Sequence, residues 1–457
     1  MWLPDSFDCG VVIDVAERVF GYSDDPWGLL VALWLLWLFV GAYAIVPASV
    51  LPVVTDELPI GLAAASWIVT APQVGAAIAG LPAGVALDRV RNDRAIVLAG
   101  LLLIVAGVVG WVAGTGGAYW PLVGSRLAGG AALVTIWVAG TNVLSAGFSL
   151  RYRATAVAAY TTGYPAGYGL GQFAAPFLTA RFGWPATFPV FSLLAVAAAG
   201  PCYLAARPVA RRLAESTSTT GDRPAEREIS AEHGASTEYR TSIKQGTPAE
   251  HETPTERSAS VGRDLVAVVT SRAVWAVCIV SFLAYSLYMI FNSWMPTYLV
   301  EAFGLSLTES APFVALLPAV GIVARAGGGV IADRAFDCRE RPVVILSFVA
   351  TTLVVAVLAV PAELGASGAF LAGMVAVGVS IQLQIGVLYT YVQAFVETGQ
   401  VASAVALVSV VGWVGQFVAP AVTGALVDFT GSYATILGCG AAVCLCGTLA
   451  GWLAPEP

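Results

Sequence analysis

Charge is what this chain lacks. Asp, Glu, Lys and Arg make up 11% of its 457 residues, against about 25% in soluble domains. Mean hydropathy is +0.80. A water-soluble globule is excluded, because there is too little polar surface to cover it. Histidine is nearly absent: His233 and His251 both lie in one polar stretch. Lysine is rarer still, with Lys244 the single lysine among 22 basic residues. No His-Glu-x-x-His, Gly-x-Ser-x-Gly or Gly-x-x-x-x-Gly-Lys pattern occurs, which leaves little from which to build a metal site, a hydrolase or a nucleotide-binding loop. The expectation is therefore no enzyme, no metal, no cofactor and no nucleic-acid partner. The seven cysteines have no zinc spacing and are odd in number; most read as small buried hydrophobes. The first 25 residues carry Asp5, Asp8, Asp14, Glu17, Asp24 and Asp25 against Arg18, whereas a secretory signal starts basic.

The uncharged stretches are long. Asp, Glu, Lys and Arg are missing from 26–55, 58–87, 95–125, 127–150, 154–180, 182–206, 273–300, 342–362, 364–396, 398–427 and 429–455. A membrane-crossing helix needs about 20 mostly apolar residues. Lipid cannot satisfy a bare backbone, so such segments are helices or barrel strands. Barrel strands alternate apolar and polar, and these runs do not. The reading is an all-α integral membrane protein with twelve spans: 28–51, 63–87, 95–114, 119–147, 154–178, 184–205, 270–299, 309–332, 342–361, 367–394, 403–427 and 433–453.

The chain repeats itself. Gly84-Val85-Ala86-Leu87-Asp88-Arg89 ends the second span, and Gly329-Val330-Ile331-Ala332-Asp333-Arg334 ends the eighth, about 245 positions on. Gly171-Gln172-Phe173-Ala174-Ala175-Pro176 recurs at nearly the same offset as Gly415-Gln416-Phe417-Val418-Ala419-Pro420. Two agreeing offsets mean two six-helix halves, and a repeated membrane half places a working site between the copies. Four parts follow: an N-terminal segment 1–26, a first bundle 27–205, a linker 206–263 and a second bundle 264–457. The linker is rich in Ser, Thr, Glu, Gly and Pro and cannot bury enough apolar surface to fold.

Basic residues cluster on one side. Arg89, Arg91, Arg94, Arg151, Arg153, Arg334, Arg339 and Arg341 follow even-numbered spans, and Arg207, Arg211 and Arg212 open the linker. The opposite connections hold Arg181 with Asp56, Glu57, Glu301 and Glu363. The positive-inside rule puts both termini and the linker in the cytoplasm of a cell-membrane protein.

Gly84, Asp88 and Arg89 match the helix 2–3 signature Gly-x-x-x-Asp-Arg-x-Gly-Arg-Arg, although Arg91 and Asn92 depart from it; Gly329, Asp333 and Arg334 repeat the match. Arg126-Leu127-Ala128-Gly129-Gly130 fits an Arg-x-x-x-Gly element. By these motifs and the twelve spans the chain resembles the major facilitator superfamily. That resemblance implies two pseudo-symmetric six-helix bundles, transport of a solute by alternating access, and a monomer. The six signature residues are then a conformational gate: a carboxylate at a helix end pairs or caps in one state and releases in the other.

Two arginines lie within spans. Arg126 sits about 10 Å from the outer end of the fourth helix at 1.5 Å per residue, and Arg325 lies well inside the eighth. Each must face a cavity or a partner. Two readings stand for each: Arg126 contacts an anionic substrate or pins neighbouring helices; Arg325 contacts substrate or forms a structural ion pair. Arg325 has Gly80 as its counterpart in the first half, and such asymmetry suits a substrate site. Mid-depth polar residues complete the candidate cavity: Tyr43, Asn142, Tyr285, Tyr288, Asn292, Gln382, Gln384 and Gln416. Gly163, Gly167 and Gly171 form a stripe suited to close helix packing. No acid or histidine lies deep in a span, which disfavours proton symport. The functional expectation is a transporter of a small organic or inorganic anion, with a multidrug-type exporter as the alternative and a membrane enzyme or transport-like receptor more remote.

Overall fold

The computed structural model describes residues 26–87, 90–149, 152–219, 266–337, 339–358, 367–397 and 400–456. The N-terminal segment, most of the linker, and Asp88 with Arg89 lie outside them. The described residues form fifteen α-helices and one short 3-10 turn. The first half holds α1 (Trp27–Ser49), α2 (Leu51–Glu57), α3 (Leu62–Leu87), α4 (Asn92–Thr115), α5 (Tyr119–Gly147), α6 (Arg153–Thr161), α7 (Gly163–Phe182) and α8 (Thr187–Thr219). The second holds α9 (Arg272–Phe303), α10 (Leu307–Ala319), α11 (Gly321–Ala335), α12 (Glu340–Leu358), α13 (Ser367–Gln393), α14 (Val401–Thr430) and α15 (Ala434–Leu453). Eleven stretches are long and apolar enough to cross a membrane. The remaining span is α6 with α7.

Three of the twelve spans are interrupted, each beside a proline. A proline has no N–H for the carbonyl four residues back and its ring clashes with that carbonyl. Pro165 removes the bond to Thr161, and the helix breaks at Thr162 between α6 and α7. Pro47 and Pro52 flank the break at Val50 between α1 and α2. Pro318 precedes the one at Val320 between α10 and α11. Other ends are capped in the usual ways. Ser306 and Glu309 make a capping box at the start of α10, and Gly304 and Gly431 close α9 and α14 in the left-handed conformation. Helix α8 continues to Thr219, past residue 206, where the polar composition begins. The stretch holding Ala206, Ala210, Arg211, Arg212, Leu213, Ala214 and Glu215 is rich in strong helix formers.

Packing reproduces the sequence repeat. In the first half α1 packs on α7 and α8, α3 on α5, and α4 on α5 and α8; in the second α9 packs on α14 and α15, α11 on α13, and α12 on α13 and α15. The two halves meet chiefly through α3 against α14 and α7 against α10, a two-fold arrangement. Helices α4, α12 and α15 turn rows of large apolar residues outward: Leu98, Leu101, Val105 and Val112; Leu353 and Val357; Leu445, Leu449 and Trp452. Water would not tolerate such faces, and a bilayer covers them.

Close approach depends on glycine. The stripe on α7 lies against α1: a Cβ on Gly163 would stand 3.0 Å from the Trp34 carbonyl oxygen, one on Gly171 2.8 Å from that of Ala42, and one on Gly167 would fall on the Leu38 carbonyl. Gly167→Val is expected to force α7 off α1 and to cost about 2–3 kcal/mol of stability by overpacking, read as a lowered melting temperature in detergent. Unchanged melting would show that the helices can part freely.

Candidate functional site

The halves touch at the end where α3 starts and again at mid-depth. At the end where α3 starts, the Asp428 carboxylate of α14 accepts from the Leu62 and Ala63 backbone N–H groups, at 3.0 and 3.1 Å. Asp428 thereby caps α3 from the other half. Trp67 meets Phe417 edge to face at 4.5 Å between ring centroids, and a Cβ on Gly424 would stand 2.8 Å from the Leu62 carbonyl oxygen. Helix α7 lies on α10, whereas α6 packs on α1, α5 and α7 of its own half. At the opposite end, which carries the basic connections, Asp333 and Arg334 are exposed and make no ion pair among the described residues. Among the described residues the hydrogen bonds and ring contacts between the halves lie at the end where α3 starts and at mid-depth, and none lies at the basic end.

Arg126 is fully buried and its nitrogens go to backbone. Nε donates to the Ile68 carbonyl at 3.1 Å and Nη1 to that of Tyr43 at 2.9 Å, while Nη2 donates to Ala44. Two of these acceptors have a specific origin. Tyr43 lies four residues before Pro47 and Ile68 four before Pro72, so each has lost its intrahelical donor. Arg126 replaces both at once and ties α5 to α1 and α3. Its guanidinium lies over the rings of Tyr43 and Phe188, 4.6 and 5.3 Å from their centroids. Gly129 leaves room for the Tyr43 ring, and Gly130 lets α5 close on the Pro72 carbonyl. The Arg-x-x-x-Gly element is thus a helix clamp in this state.

The same device recurs between the halves. Pro296 deprives the Asn292 carbonyl of its donor, and the Gln172 Nε2 of α7 donates to it at 3.0 Å. The Asn292 side chain donates to the Tyr288 carbonyl at 2.7 Å. Gln73 donates to the Tyr168 hydroxyl at 3.0 Å, Tyr164 and Tyr168 join hydroxyls at 3.3 Å, and the Tyr168 ring stacks on Tyr288 at 6.1 Å. A tyrosine ladder thus crosses the interface at mid-depth.

Arg325 differs from Arg126. It is half-buried, and its Nε donates to the Gln382 Oε1 at 2.8 Å. Its terminal nitrogens have no partner among the described residues. Tyr285 and Tyr288 lie within its electrostatic reach, and Tyr285 joins hydroxyls with Tyr389 at 3.0 Å. Gln382 is fully buried, yet its Nε2 has no partner. The guanidinium of α11, with its terminal nitrogens unbonded, and the tyrosine hydroxyls of α9 and α13 together make a site able to hold an anion.

The remaining sequence candidates fall in various places. Tyr43 is buried on Arg126 with its hydroxyl unpartnered. Tyr288 and Asn292 lie at the interface, as above. Gln384 is fully buried with neither side-chain polar atom bonded, and Gln416 is buried too. Asn142 is not at mid-depth. It is exposed near the basic end of α5, 3.4 Å from Asn92, because α5 runs the full width and Asn142 is near its last turn. Gly84 and Gly329 leave open space where a Cβ would sit. Sequence reading missed Tyr389, Tyr164, Tyr168, Gln73 and Gln172; the proline four residues beyond Asn292 was the available signal for Gln172. No group of His, Cys, Asp and Glu among the described residues could hold a metal ion.

Comparison with known proteins places this architecture. Two solved structures of a bacterial homolog to the human lysosomal transporter Spinster share the fold. The inward-facing, occupied form superposes with a TM-score of 0.67 at 14% identity over 95% of this chain and 97% of that one. The inward-facing, unoccupied form gives 0.62 at 16% identity over 94% and 93%. A nitrite extrusion protein of Bacillus subtilis (strain 168) is 26% identical over 175 residues, which are 38% of this chain and 42% of that protein's length. The sequence model of the Major Facilitator Superfamily matches residues 29–420. The chain is a multi-pass membrane transporter of a solute, and it belongs to the Major Facilitator Superfamily.

Proposed function

We propose that the protein carries a small anion by alternating access, with Arg325 as its principal contact. The observation that carries this reading is the contrast between the two arginines. Arg126 is bound up by backbone carbonyls, while Arg325 keeps unbonded terminal nitrogens beside Gln382. A half-buried guanidinium without a counter-ion is costly, and an anionic substrate is the partner that relieves it. The partial similarity to a protein named for nitrite extrusion supports an anion. Gln382, Tyr285, Tyr288 and Gln416 would orient it. The gate residues Gly84, Asp88 and Arg89, with Gly329, Asp333 and Arg334, would close the basic end when the outer seam opens. By the positive-inside rule the basic end is cytoplasmic, so the protein sits in the cell membrane with that end inward, working as a monomer.

Thermal-shift measurements on the detergent-purified protein test this reading with inorganic anions, carboxylates and lipophilic cations. Anions are expected to raise the melting temperature, and Arg325→Gln to abolish that rise while melting close to the wild type without ligand. Stabilisation by lipophilic cations alone, or an anion response that survives Arg325→Gln, would overturn it.

A further inference from the structure

We infer that the Arg325 site accepts monovalent anions and discriminates against dianions; this rests on the anion reading above. The charge within the bundles sets this preference. Among the described residues two guanidinium groups lie within the bundles. Arg126 is fully buried, holds three carbonyls and lies over two aromatic rings, so it offers nothing to a solute. Arg325 alone remains. Arg334 is nine residues further along α11, about 13 Å at 1.5 Å per residue, and stands exposed at the helix end. Its hydrogen-bond partner Gln382 carries no charge, and no ion pair to Arg325 is present among the described residues.

Neutral donors can orient an anion but cannot cancel its charge. When the basic end closes, site and solute leave water together. A monovalent anion with Arg325 is then electrically neutral. A dianion leaves one negative charge uncompensated in a low-dielectric interior, where a lone charge is strongly disfavoured. Gln382, which accepts from the guanidinium Nε, positions it and adds no charge. The shared chemistry is a small anion bearing one charge, whether an inorganic oxyanion or a monocarboxylate.

The test is uptake into proteoliposomes together with thermal shift, using paired solutes: nitrate against sulfate, and acetate against malonate. The monovalent member of a pair is expected to be favoured by at least about tenfold. Preference within the inorganic or the carboxylate pair separates the two sources. Malonate should gain as pH falls and it becomes the hydrogen monoanion, while nitrate should not. Gln382→Lys, which sets a second cation beside Arg325, should recruit sulfate and malonate. Arg325-dependent binding and uptake of dianions equal to or better than monoanions would overturn the inference and leave the anion site standing. No response to either class would overturn the anion site itself.

Discussion

Arg126→Ala is expected to destabilise the folded protein by about 3–5 kcal/mol, a large share of the margin of any domain. The guanidinium bonds the carbonyls of Ile68, Tyr43 and Ala44. Two of these were stripped of their intrahelical donors by Pro72 and Pro47. Removing the arginine leaves buried acceptors without donors and opens a void beside the Tyr43 and Phe188 rings. Arg126→Lys should recover only part of the loss, because one ammonium cannot serve acceptors on two helices as a planar fork does. Melting temperature and purified yield in detergent give the readout. A double-mutant cycle sharpens it: with Pro47→Ala or Pro72→Ala an N–H returns to the orphaned carbonyl, and Arg126→Ala should then cost less. If the cycle shows no coupling, the proline account of the clamp is wrong.

Asp428→Ala is expected to open the outer seam. The carboxylate accepts from the first two N–H groups of α3 and lies at the positive end of that helix. These bonds join the two halves, so they exist only while this end is closed. Charged hydrogen bonds contribute about 1.5–3 kcal/mol each, and exposure at the seam reduces this. A shift of about 2 kcal/mol toward the outward-open state corresponds to roughly thirtyfold in population. Thr423, buried on α14 beside the seam, provides a reporter. Thr423→Cys should react with a membrane-impermeant thiol reagent roughly thirtyfold faster when Asp428 is replaced. Asp428→Asn, which keeps the shape without the charge, should lie between. Equal labelling rates in all three would show that Asp428 does not hold the seam shut.

Much of the fold was legible because lipid enforces it. A backbone inside a bilayer must be helical over the full thickness, so uncharged runs marked the spans, and most observed helix ends lie within a few residues of those expected, the end of α8 at Thr219 excepted. The repeat was legible because both halves keep Gly, Asp, Arg and the Gly-Gln-Phe element at a constant offset. The breaks at Val50, Thr162 and Val320 had their prolines in plain view. Asn142 was misplaced because a position along a run says nothing of where a long helix emerges. Asp428 had no local signal to single it out, since the residues it caps lie more than 360 positions away.

By itself the sequence determined a twelve-span repeated membrane protein with two arginines where charge is expensive. It could not tell those arginines apart, because each is an Arg within an apolar helix. The tertiary structure decided that. Only the approach of α5 to the proline-bearing turns of α1 and α3 gives Arg126 its acceptors. Only the packing of α11 on α13 gives Arg325 the Gln382 oxygen for its Nε and leaves its terminal nitrogens unbonded. A backbone carbonyl has the same chemistry at every residue, so its availability is fixed by which helices meet and where a proline has removed its donor.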